Sequence, residues 1–66
     1  MVNIEGLQAK ITDSGMTVTA ICKKTGILRQ TLYNRFKKPN FTIIEVKALA
    51  DVLHLTDSEV RDIFFV

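Results

Sequence analysis

Three threonines in this chain stand in the same local setting, and that setting dictates helices. Thr17 follows Met16 and precedes Ile21 by four residues; Thr42 stands likewise between Phe41 and Val46, and Thr56 between Leu55 and Val60. A threonine at a helix N-cap accepts a hydrogen bond from an early backbone amide, while the flanking apolar pair closes over it as a hydrophobic staple. Glu45 and Glu59 come three residues after Thr42 and Thr56 and complete capping boxes there. With three helix starts marked this firmly in 66 residues, little room is left for other structure. Apolar spacing predicts helices over about 4–14, 17–25, 28–37, 43–54 and 57–64, and no segment alternates as a strand does.

Such a chain makes one domain, residues 1–66, and its expected class is all-α: five helices with short connections packed compactly. A domain this small buries only about 60% of its unfolded surface, so its core must be used fully. The periodicities place Leu7, Ile11, Ile21, Cys22, Leu32, Phe36, Val46, Leu49, Ala50, Leu53, Val60, Ile63 and Phe64 inward, with Ile27 and Phe41 filling the joints. Gly6 falls in the first turns of the first helix, where it costs about 1 kcal/mol relative to alanine. Pro39 forces Lys38 out of helical geometry and ends the third helix. The single cysteine rules out an internal disulfide, and no Cys/His cluster has zinc-ligand spacing. No apolar run reaches membrane length, no signal peptide opens the chain, and the unpaired thiol fits a reducing cytoplasm.

Charge is distributed one-sidedly. Between Ser14 and Ile44 there is no acidic residue, yet six of the nine basic ones lie there: Lys23, Lys24, Arg29, Arg35, Lys37 and Lys38. All seven acids flank that window, so a net charge of +2 conceals a strongly basic segment. Clustered positive charge on one supersecondary unit is the electrostatic footprint of a nucleic-acid binder.

Inside the window, Gly26 separates two short helical patterns. Packing two helices steeply across a short turn needs a residue tolerant of positive φ, a small side chain one turn earlier, and an apolar residue returning from the second helix. Gly26, Cys22 and Leu32 supply these, with Ile21 and Ile27 completing the wedge.

The run Ile21-Cys22, Lys23-Lys24-Thr25, Gly26-Ile27, Leu28-Arg29-Gln30-Thr31-Leu32 resembles the Cro/phage-repressor-like (XRE-type) helix-turn-helix family. That family shows Leu-Ala, three residues, Gly-Val/Ile, then Ser-Arg-x-Thr-Ile/Leu. Pro39-Asn40-Phe41-Thr42 and the stretch Leu49–Thr56 look like the family's return helices, so the likeness covers about residues 4–64. It is nearest to the small regulators of temperate phages of Gram-positive bacteria. The resemblance implies a lambda-repressor-like DNA-binding domain with its helix-turn-helix at about 17–37, acting in a bacterial cytoplasm at the nucleoid. Three positions depart from the pattern: Val18 replaces a common glutamine, Leu28 replaces a capping serine, and Arg35 takes a place that is often apolar.

On the second motif helix, Leu28, Leu32 and Phe36 share one face, and Gln30, Tyr33, Asn34 and Lys37 lie opposite. Such a helix buries one stripe and offers the other to the major groove. Arg29, Gln30, Tyr33 and Asn34 are the candidate base-reading residues. Thr17, Thr19, Lys23, Arg35, Lys37 and Lys38 are the phosphate candidates, the threonines through the amides of their helix start.

Beyond this surface, chemistry is sparse. Cys22 sits where packing needs a small side chain, His54 lies at a helix end, and no cofactor, metal site or catalytic constellation is expected, so the reading is a non-enzyme. At the chain end Val60, Ile63 and Phe64 share a face, which leaves Phe65 and Val66 as a candidate homodimer interface. The expected function is a Cro-like repressor that binds double-stranded operator DNA as a dimer. The alternative is a phage-switch modulator or antirepressor that uses the same exposed helix to bind a repressor protein.

Overall fold

Each of the three threonines caps its helix as the local pattern requires. Thr17 Oγ1 accepts from the Ala20 amide at 3.1 Å, Thr42 Oγ1 from Glu45 at 3.2 Å, and Thr56 Oγ1 from Glu59 at 3.1 Å. Glu45 and Glu59 return the bond to the threonine amides at 2.9 Å, closing both capping boxes. The computed structural model describes residues 2–65. Among these the elements are α1 (Ile4–Ser14), α2 (Val18–Thr25), α3 (Arg29–Lys37), α4 (Ile43–Leu53) and α5 (Asp57–Phe64). They fold into a body of 26 × 23 × 20 Å.

The start of α1 gives Gly6 a purpose that the sequence pattern does not reveal. Asn3 Oδ1 caps the helix by accepting from the Gly6 amide at 3.0 Å, and a Cβ on Gly6 would stand 2.7 Å from Asn3 Nδ2. The missing side chain makes room for the cap.

The core draws on every helix. Leu7, Ile21, Leu32 and Leu49, one each from α1 to α4, are fully buried, and Ile63 and Phe64 come from α5. Burial of each such side chain stabilises the fold by about 1.5–3 kcal/mol. Helix α4 is the hub and packs against α1, α2 and α5, while α3 rests mainly on α2. Phe36, Phe41, Leu53 and Val60 lie half-buried against this core, and Ala50 is half-buried as well. The Phe41 and Phe64 rings meet edge to face with centroids 5.4 Å apart, an arrangement favoured by their quadrupoles.

Leu28 does not join the buried stripe with Leu32 and Phe36. It precedes the helix as its N-cap in an extended conformation (φ −67°, ψ 143°), makes no capping hydrogen bond, and is 72% exposed. Helical spacing extrapolates only as far as helical backbone does, and the first helical residue is Arg29. In the same way α4 stops at Leu53, with His54 taking the left-handed conformation just beyond it (φ 54°).

Two long-range ties close the molecule. The Asn3 amide donates to the Ile63 carbonyl at 2.6 Å, and Lys10 of α1 pairs with Glu59 of α5.

Candidate nucleic-acid interface

The geometry of this surface is set at the turn between α2 and α3. Gly26 ends α2 in the left-handed region (φ 79°) and its amide bonds the Cys22 carbonyl at 2.9 Å. Thr25 fastens the same corner: its hydroxyl donates to the Ile21 carbonyl at 2.8 Å and accepts from the Ile27 amide at 3.2 Å. Ile27 is buried beneath the turn and Leu32 has no exposure at all. With one face of α3 anchored this way, the opposite face must point outward.

That outward face holds the residues singled out for base reading. Arg29, Gln30, Tyr33 and Asn34 are all exposed, as is Lys37. Steps of four (29, 33, 37 and 30, 34) make them one continuous stripe along the helix. Tyr33 is partly steadied by Phe36, whose ring it meets edge to face at 6.0 Å.

The phosphate candidates divide. Thr17 and Thr19 are exposed at the start of α2, Lys23 is exposed further along it, and Lys37 and Lys38 are exposed at the far end of α3. Lys38 has left helical geometry (φ −128°, ψ 89°), as the following proline demands. Arg35 is engaged within the protein. Its Nε donates to Glu45 Oε1 at 3.0 Å, Nη2 to Oε2 at 3.4 Å, and Nη1 to Asn40 Oδ1 at 3.3 Å. Partial burial works against the charged form of Glu45, but the bonds from Arg35 and Thr42 outweigh it and hold the carboxyl below its ordinary value.

Among the described residues two ion pairs form, Lys10–Glu59 and Arg35–Glu45, and neither involves Lys23, Lys24, Arg29, Lys37 or Lys38. A cleft of about 360 Å³ at the end of α3 is lined by Asn34, Arg35, Lys37, Lys38 and Asn40, with no acidic side chain among them. Lys37 and Lys38, neither of them in those ion pairs, give it a positive rim that suits an anion. Asn40 is not a candidate from sequence, because only the turn at Pro39 brings it back beside Arg35.

Burial pushes the Cys22 thiol above its ordinary value, against the opposing pull of Arg29, which fits a packing role. Phe65 is 60% exposed beyond the end of α5; its companion Val66 lies outside the described residues. Among the described residues no group of three or more His, Cys, Asp or Glu side chains is placed to share an ion. No described helix is long and apolar enough to cross a membrane.

No protein-family model matches the chain, and no curated protein or solved structure matches it either.

Proposed function

We propose that this chain is a sequence-specific DNA-binding transcriptional regulator in which α2 and α3 form a helix-turn-helix and α3 enters the major groove. One observation carries the reading: Arg29, Gln30, Tyr33, Asn34 and Lys37 form an exposed stripe on the side of α3 opposite the fully buried Leu32. Arginine suits a guanine edge, and glutamine or asparagine an adenine edge. Lys23, Lys37, Lys38 and the amides at the Thr17–Thr19 helix start then serve as phosphate contacts that fix register. One α3 offers few base contacts, so two copies bind an operator of two half-sites about 34 Å apart, and exposed Phe65 supplies part of their interface. Occupying the operator excludes polymerase, as a Cro-like repressor in a bacterial cytoplasm does.

A second reading, a modulator that binds a repressor protein, is favoured by the exposure of two large apolar residues. Leu28 is 72% and Ile44 80% exposed, and they line one groove.

Salt separates the two readings. With Lys23, Lys37 and Lys38 of each subunit on phosphates, log affinity falls against log salt with a slope of about −5, from about −0.9 per phosphate. The measurement is fluorescence anisotropy on a duplex selected from a random pool, at several salt concentrations and with competitor DNA. A flat salt dependence, or no preferred duplex, refutes DNA reading.

A further inference from the structure

Leu28 is out of keeping with its position. It occupies the N-cap of α3, where serine, threonine, asparagine or aspartate would serve the helix better, and makes no capping bond. Nor does it serve the core, being 72% exposed. It lines two shallow hollows, one with Lys23 and Arg29, the other with Thr31, Ile44 and Glu45. An apolar group thus stands at the leading tip of α3, beside Lys23 and Arg29, with no structural duty.

On the premise that α3 reads DNA, we propose that Leu28 is a specificity-determining residue that packs against the C5-methyl group of a thymine in the major groove. The N-terminal residues of a recognition helix are the ones that meet base edges. Those edges are read mostly through donors and acceptors, and the thymine methyl is the one alkyl group that projects from them. Leucine can form no hydrogen bond there, so it gains from a thymine and desolvates polar atoms at any other base. Its neighbours Arg29 and Gln30 read the adjoining pair through hydrogen bonds. A protein partner fits this spot less well. On one side Leu28 adjoins Lys23 and Arg29, which suit the phosphate-lined groove of DNA. On the other, the apolar pair Leu28 and Ile44 is bordered by Thr25, Thr31, Thr42 and Glu45.

The test uses the intact protein and the duplex it selects from a random pool. Each thymine of that duplex is replaced in turn by deoxyuridine, which keeps every hydrogen-bonding group and lacks only the methyl. The native protein loses about three- to fivefold in affinity at one thymine per half-site, the worth of one buried methyl. Leu28→Ala, shown to be folded by circular dichroism, binds the thymine duplex as the native protein binds the uracil one and no longer distinguishes the two. If the native protein selects a duplex but tolerates uracil everywhere, DNA reading stands and the role of Leu28 is overturned. The same holds if Leu28→Ala discriminates as the native protein does. If no duplex is selected, DNA reading fails and this inference fails with it.

Discussion

Arg35 and Glu45 grip each other across the irregular segment that joins α3 to α4, with Nε 3.0 Å from Oε1 and Nη2 3.4 Å from Oε2. The same Oε1 accepts the Thr42 amide at 2.9 Å. One carboxylate therefore begins α4 and also ties down the far half of α3, which otherwise leans on Leu32 and the half-buried Phe36. The turn at Gly26 and buried Leu32 set which way the exposed stripe points, and this tie fastens the end of α3 farthest from them.

Breaking the tie is expected to show coupling. The two side chains are 24% and 14% exposed, between a surface pair and a buried one. A double-mutant cycle of Arg35→Met and Glu45→Gln in urea unfolding should give an interaction energy of about 1 kcal/mol. Arg35→Met should leave the salt slope of DNA binding nearly unchanged. Lys37→Ala or Lys38→Ala should make it shallower by about 0.9 for every phosphate that the missing lysine no longer neutralises.

Acid should lower the stability of the protein through two glutamates. The hydrogen bond from Lys10, helped by the Thr56 amide, lowers Glu59 from 4.5 to about 2, and Glu45 also lies below 4.5. Both groups bind protons less readily folded than unfolded, so protonation favours unfolding. Their contribution is complete above about pH 4.5 and is lost as pH falls towards 2. Thermal melts between pH 6 and 2 (roughly the span of both titrations) should show falling midpoints. Lys10→Met should weaken that dependence by removing the main cause of the Glu59 shift.

Gly26→Ala and Gly15→Ala offer a matched comparison. Both glycines are left-handed (φ 79° and 73°), and a Cβ on either meets nothing within 4 Å, so the penalty is conformational. Each should cost about 1–2 kcal/mol in urea unfolding. Gly26→Ala should also weaken DNA binding beyond what stability explains, because it alters the angle at which α3 is held. Gly15→Ala should not.

Gln30→Ala and Asn34→Ala should each cost about 1–3 kcal/mol on the preferred duplex and little on random DNA, read by anisotropy titration. Equal losses on both would remove these residues from base reading.

Phe65→Glu should keep its helical circular dichroism while self-association and operator binding fall together, followed by sedimentation across concentration. A native protein that remains monomeric at high concentration would remove Phe65 from any interface.

Helix starts are legible in the sequence because their causes are local: Thr17, Thr42 and Thr56 meet their partners within four residues. So is the exposed stripe, since burying Leu32 turns the opposite face of α3 outward. The family likeness puts Leu28 at the cap, where the fold has it; apolar spacing alone counts it into the buried stripe, because a periodic pattern cannot tell a helical residue from the extended cap before it. The grip of Arg35 on Glu45 spans ten residues, and that of Lys10 on Glu59 spans 49. Such pairs depend on how helices pack, which spacing within one helix does not encode. Sequence therefore assigns Arg35 to DNA, although the fold has a closer partner for it.

The hydrogen bond from the Asn3 amide to the Ile63 carbonyl stitches the beginning of α1 to the finish of α5. Terminal helices of small bundles ordinarily fray one at a time, each at little cost. Here the two are linked: loosening Asn3 strips a partner from Ile63, and Lys10 of α1 is paired with Glu59 of α5. The two outer helices are joined like the halves of a clasp, and amide exchange at the start of α1 and the end of α5 should show matching protection.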